Sequence, residues 1–132
     1  GVFYISTYYL IYRSPEIPIE FKACFLGAVI GLFLAFFITL FSKISLHALG
    51  TGGFLGMVLI TIQRSELFPF VCNTGIFGVI EVSLFGLLIT TILICGIVGT
   101  SRLILDAHEP KDLYGGYLVG LATQFIAFSF FN

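Results

Sequence analysis

Charged residues are scarce in this sequence. Asp, Glu, Lys and Arg together make up 10% of its 132 residues, whereas 58% are hydrophobic. A soluble domain of this length cannot bury so much apolar surface, because small domains leave much of their surface in water. The formal net charge of −1 gives no basis for nucleic-acid binding or for electrostatic attachment to a membrane surface. The composition therefore predicts an integral membrane protein with membrane lipids as its solvent.

Cysteine is also scarce and follows no ligand pattern. The three cysteines form no CxxC or Cys/His motif, which removes the usual sequence evidence for a zinc or redox site. We interpret them as small apolar packing residues. They are Cys24, Cys72 and Cys95.

Four apolar runs are each long enough to cross a bilayer as a helix. Segments rich in charged or turn-forming residues separate them. Helices are expected because lone strands would leave backbone groups unpaired in lipid. The sequence therefore predicts an all-α integral membrane bundle, a single domain over residues 1–132. Its predicted spans are residues 23–41, 46–62, 75–98 and 113–131.

The first residues predict a fifth, incomplete span. Gly1 leads directly into VFYISTYYLIY, with no starting Met. This run is too short to cross a membrane and lacks the basic start of a signal peptide. We therefore expect it to be the tail of an additional N-terminal span, and the chain to be the C-terminal part of a longer protein.

Glycine pairs predict how the spans pack. Three GxxxG pairs occur, and small residues at this spacing allow two helix backbones to approach closely. A compact bundle is expected, although the pairs indicate no particular function. They are Gly27 and Gly31, Gly52 and Gly56, and Gly116 and Gly120.

The number of spans between polar segments predicts which segments share a membrane face. Two spans separate segment 42–46 from segment 99–112, so both are expected on one face. Basic residues divide three and three between the two faces, so charge does not orient the chain. The shared face holds Lys43, His47, Arg102, Asp106, His108, Glu109, Lys111 and Asp112.

This face has the elements of an anion site. Two predicted helices begin there, near Leu46 and Leu113, and their first amides carry partial positive charge. Together with Arg102 they would bind a phosphate. His108 and Asp112 are four residues apart, so the carboxylate would orient the imidazole as a nucleophile. Ordinary capping of a helix is the alternative reading of the same spacing.

Two further classes of function stay open. A metal site would use His47, Asp106, His108 and Asp112, although no HExxH or similar ligand spacing is present. A transporter with an anion site would need polar residues at mid-depth in the spans, and those present are few and mild.

The segment SRLILDAHEPKD, residues 101–112, has the pattern S-R-x5-H-x3-D. This pattern resembles the third signature of the type 2 phosphatidic acid phosphatase superfamily, the membrane-bound relatives of acid phosphatases and haloperoxidases, at every fixed position. LYGGYLVG resembles the start of that family's last span. The segment KISLHALGTGG looks like the second signature of a short bacterial branch, keeping its Ser and His. The resemblance covers roughly residues 20–132.

The resemblance implies a role for each matching residue. His108 would attack phosphorus to form a phosphohistidine, and Asp112 would orient it. His47 would protonate the leaving group and then activate water. Such chemistry needs no metal or other cofactor. The implied phosphate-binding residues are Arg102, Ser101, Ser45 and Lys43.

The sequence departs from the family pattern at two signatures. Ile44 and Leu46 replace the Pro and Gly of the second, and the first signature is absent. Lys43 is correctly placed to substitute in part. The leading hypothesis is a phosphatase for a lipid phosphate or pyrophosphate; the alternative is a catalytically silent accessory or structural subunit of a membrane complex.

Members of this family mostly place their site away from the cytoplasm. The resemblance therefore implies a bacterial inner-membrane protein with its site on the periplasmic face. The sequence leaves open whether the chain forms a homo-oligomer or joins a larger membrane complex.

Overall fold

The computed structural model describes residues 2–64, 70–73 and 79–131. Within them the chain is mainly helical, with one short antiparallel hairpin between the third and fourth helices. The helices are α1 Val2–Arg13, α2 Ile19–Thr39, α3 Leu46–Arg64, α4 Leu84–Ile104 and α5 Pro110–Ser129. The strands are β1 Phe70–Asn73 and β2 Val79–Val82.

Within the described residues, three helices are long and apolar enough to cross a membrane: α2, α3 and α4. This confirms the expectation of membrane-spanning helices for three of the four runs. Helix α5 has 20 residues but is less apolar, because it includes Lys111, Asp112 and Gln124. A fourth complete span in α5, and a partial span in α1, stay predictions.

The third run differs from its predicted span of 75–98. Residues 79–82 are a strand that pairs with β1, and the helix begins only at Leu84. Val79, Ile80 and Val82 favour this outcome, because β-branched side chains suit an extended backbone. The predicted start at Gly75 lies outside the described residues.

Helix α4 also ends later than predicted, so Ser101 and Arg102 lie on its last turns instead of in a loop. Asp106 ends it with a left-handed backbone, φ 48°. The Ala107 amide donates to the Arg102 carbonyl at 3.1 Å, and the Asp106 amide to the Leu103 carbonyl at 3.0 Å. This is the hydrogen-bond pattern of a Schellman C-cap, in which Asp tolerates the left-handed position better than most residues.

The glycine pairs lie where helices cross α5. A Cβ on Gly52 would lie 2.6 Å from the Tyr117 carbonyl oxygen, and one on Gly116 would lie 2.6 Å from the Ser45 carbonyl oxygen. On α2, a Cβ on Gly27 would meet the Gln124 side chain at 2.6 Å. The predicted close packing is thus present, and it places α5 between α2 and α3.

Helix α4 packs against α3 and is connected to α5 through a side-chain hydrogen bond. The Tyr117 hydroxyl donates to the Cys95 carbonyl, and the Cys95 thiol donates to the Thr51 carbonyl at 3.5 Å. Cys24 and Cys95 are half-buried free thiols, in agreement with a packing role.

Tyr117→Phe is expected to lower the free energy of unfolding by about 0.5–1 kcal/mol, because it removes this hydrogen bond but keeps the ring. Tyr114→Phe is the matched control, since Tyr114 lies on the same helix and is 69% exposed. Unfolding in mixed micelles measures both variants. Equal stability of the two would show that the Tyr117 bond contributes nothing to the α4–α5 contact.

Candidate functional site

The first turn of α5 positions the predicted nucleophile against the predicted orienting acid. His108 Nδ1 lies 3.5 Å from Asp112 Oδ2, with the imidazole 23% exposed and the carboxylate 1% exposed. This separation is an ion-pair distance and is too long for a good hydrogen bond, so Nδ1 is buried without a hydrogen-bond partner. Because Nδ1 faces Asp112, Nε2 is the nitrogen that can reach a substrate.

Asp112 is held in place from its own helix. Its Oδ2 accepts a hydrogen bond from the Glu109 amide at 3.2 Å, as in an N-terminal cap, while its Oδ1 is buried without a partner. The helix dipole favours a negative charge at this position. The capping contact of Asp112 is therefore present, and the same carboxylate lies at ion-pair distance from His108, so the orienting role stays a prediction.

A backbone hydrogen bond joins this turn to the start of α3. The Ser45 amide donates to the Asp112 carbonyl at 3.1 Å. Ser45 is fully buried, and its hydroxyl accepts the Ala48 amide at 3.4 Å as an N-cap. The two polar segments predicted to share a face thus lie at the same end of the bundle.

The other predicted site residues lie at the same end of the bundle, without polar contacts to His108 or Asp112 in the part of the chain that the structure describes. His47 lies on the first turn of α3 and Lys43 just before it, and both are exposed. Arg102 is half-buried on the last turn of α4; beside it, exposed Ser101 donates its hydroxyl to the Ile97 carbonyl at 2.7 Å. Among the described residues, no hydrogen bond or ion pair connects these four side chains to the His108–Asp112 pair.

The positive charge of Lys111 is balanced by the neighbouring carboxylate of Glu109. Its Nζ lies 2.8 Å from Glu109 Oε2, and both side chains are largely exposed. The hydrogen bond and the charge of Glu109 raise the pKa of Lys111 above its usual range. Lys111 therefore stays protonated at neutral pH and forms an ion pair with Glu109.

The metal hypothesis finds no ligand group in the described part of the chain. No three or more His, Cys, Asp and Glu side chains converge there in a way that could hold an ion. Asp106, one of the four proposed ligands, is the exposed residue that caps the end of α4.

Gln124 is one of the few polar residues at mid-depth in the predicted spans, and its position is more significant than the sequence indicated. The side chain is 4% exposed and donates to the Cys24 carbonyl at 3.4 Å. The signal is a spacing of four along α5: Asp112, Gly116, Gly120 and Gln124 are all buried. Such a spacing follows one face of a helix, so a large amide on a glycine stripe indicated a polar group at the helix crossing.

Comparison with known proteins adds no identification. No family model, no curated protein and no solved structure matches this chain. The residues at the candidate site are therefore the basis for a proposed function.

Proposed function

We propose that this protein is a membrane phosphatase that hydrolyses a lipid phosphate or pyrophosphate through a phosphohistidine. The observation that supports it most is the buried Asp112 carboxylate facing His108 Nδ1 at 3.5 Å. A short movement would make this contact a hydrogen bond, which fixes the tautomer with Nδ1 protonated and Nε2 free to attack.

The chemistry divides between the two histidines. His108 Nε2 attacks phosphorus and forms a P–N bond, while the bond from phosphorus to the leaving oxygen breaks. His47 gives that oxygen a proton, then removes one from the water that cleaves the P–N bond. Phosphate leaves, and both histidines return to their starting protonation.

Electrostatic stabilisation would come from the helix ends and Arg102. The α3 and α5 N-termini meet through the bond from Ser45 to Asp112, so their partial positive charges lie close together. Arg102, on the last turn of α4, would clamp the phosphate oxygens, with Lys43 and Ser101 assisting, while the fully buried Ser45 would act through its cap on α3. The site would lie on the periplasmic face of a bacterial inner membrane.

Phosphate release by the purified protein, reconstituted in lipid and supplied with EDTA, is the direct test. We expect release from at least one lipid phosphate or pyrophosphate, with kcat lowered about 100-fold or more in His47→Ala, because general acid–base catalysis contributes about that much. Arg13→Ala is the control, since Arg13 belongs to the opposite end of the bundle.

Two results would contradict the proposal. Release that EDTA abolishes would indicate a metal-dependent hydrolase. A folded protein that releases no phosphate from any of these lipids would support the silent accessory subunit instead.

A further inference from the structure

A cavity of about 320 Å³ lies between α2, α3 and α5, with Tyr4 of α1 also in its wall, and neither His108 nor Asp112 lines it. Its walls are mostly apolar, and glycines on all three helices widen it. By the volume that one water occupies in the liquid, it has room for roughly ten water-sized groups. The residues important here are Leu32, Leu46, Leu49, Phe54, Thr123 and Gln124.

The cavity runs along the bundle from the end that holds the candidate site. We call the end of the cavity nearest the candidate site its upper end. Leu46, next to His47, lines this upper part, and Phe54 lines the lower part. These two residues are eight apart on one helix, which corresponds to about 12 Å at 1.5 Å per residue. A chain attached to a phosphate beside His47 would therefore enter the cavity directly.

The lower end of the cavity is polar. Gln124 lines it with a side chain that is 4% exposed. Its Nε2 donates to the Cys24 carbonyl at 3.4 Å, and among the described residues no donor reaches its Oε1. Gly27, Gly53 and Gly56 surround the amide closely. A buried amide deep in a membrane bundle is costly, which makes it a candidate for a functional role.

We propose that this cavity binds the hydrocarbon tail of the lipid phosphate, and that Gln124 at its lower end limits the length of tail accepted. The proposal rests on the phosphatase function proposed above. A tail longer than the cavity presses apolar carbon onto the amide, which keeps water from Oε1 and competes for space with the bond from Nε2 to the Cys24 carbonyl, and this is unfavourable. Tails that end above Gln124 avoid this cost.

The predicted limit on tail length is tested by measuring kcat/KM in lipid nanodiscs for alkyl phosphates of increasing chain length. The wild type is expected to lose about tenfold in kcat/KM once the tail exceeds the cavity. Gln124→Leu, of similar size but apolar, is expected to move this fall to longer tails. Each variant's thermal unfolding midpoint reports that it is folded.

A second variant blocks the upper part of the cavity without disturbing its walls. Gly50 lines the cavity, and a Cβ there meets nothing within 4 Å. Gly50→Phe is expected to lower kcat/KM at least tenfold more for long tails than for a short, tail-free phosphate ester. Gly96→Phe is the matched control, because Gly96 is equally open but lies on α4, outside this cavity.

Binding of non-hydrolysable alkyl phosphonates, measured by competition against a fluorescent lipid phosphate analogue, separates the two proposals. If the wild type does not hydrolyse any phosphate but shows a length limit in binding that Gln124→Leu moves, the phosphatase fails and the tail site stands. Length profiles of turnover and binding that are the same in wild type, Gln124→Leu and Gly50→Phe would overturn the tail site.

Discussion

His108→Ala is expected to lower kcat by about 10⁴-fold or more, because it removes the atom proposed to form the covalent bond to phosphorus. Wild type incubated with substrate labelled in its phosphate and quenched in alkaline detergent is expected to contain a label that survives in base, is lost in acid and is absent from the variant, because the P–N bond of phosphohistidine is acid-labile. His108 is 23% exposed and makes no hydrogen bond through Nδ1, so its loss should leave the fold intact. Label retained in His108→Ala would place the nucleophile elsewhere.

Asp112→Asn separates orientation of His108 from capping of α5. The amide oxygen still accepts the Glu109 amide, so the cap survives, and the buried negative charge is removed. Under the proposed mechanism we expect kcat to fall by about 10²–10⁴-fold, because the imidazole loses the partner proposed to fix its tautomer. Stability is expected to change by less than about 1 kcal/mol, because an amide nitrogen replaces the buried Oδ1 and is equally unpaired, while the lost interaction with the helix dipole is small.

Lys111→Ala is the control for both variants. Lys111 lies between His108 and Asp112 in sequence, but its side chain is exposed and paired with Glu109. We expect less than about a twofold change in kcat, because an exposed ion pair contributes little. Full activity in Asp112→Asn would reduce Asp112 to a helix cap.

Much of the helical architecture follows from the sequence because long apolar runs and glycine spacing act locally. The runs at 23–41 and 46–62 correspond to α2 and α3, with the start of α3 at the predicted residue and the other ends shifted by two to four residues. The start of α4 was missed because a short apolar run is compatible with strand or helix until its pairing partner is known. Residues 79–82 have such a partner in β1.

The candidate site is only partly predictable for a different reason. Four-residue spacing places His108 beside Asp112 on any helix that begins near Pro110, so that pair is local. The bond from the Ser45 amide to the Asp112 carbonyl depends on how α3 crosses α5, which spacing within one helix does not determine. The role of Gln124 depends on the same crossing, because glycines from two other helices surround it.

Gly120→Ala is expected to destabilise the protein by about 2–4 kcal/mol. The added Cβ would overlap the Leu49 carbonyl oxygen and lie 2.7 Å from the Gly53 amide nitrogen. Both neighbours are backbone atoms of α3, which no side-chain rotation can move away. The helices must therefore separate, and overpacking of this kind is strongly unfavourable.

Gly115→Ala, five residues earlier on the same helix, should have the opposite sign. A Cβ at Gly115 meets nothing within 4 Å, so only the intrinsic helix preference changes. Alanine is favoured over glycine in a helix by about 0.5–1 kcal/mol, and we expect a gain of that size. Chemical unfolding of both variants in one detergent gives the comparison.

The two glycine variants also test whether the α3–α5 crossing sets the separation of the two histidines. The crossing at Gly120 lies two helical turns below Asp112; α3 carries His47, and His108 lies just before the first turn of α5. If the crossing sets their separation, the folded fraction of Gly120→Ala should lose activity about tenfold or more, since small misplacement of catalytic groups is costly. Gly115→Ala should retain it. Equal activity per folded molecule would show that the bond from Ser45 to Asp112 positions the histidines without the glycine crossing.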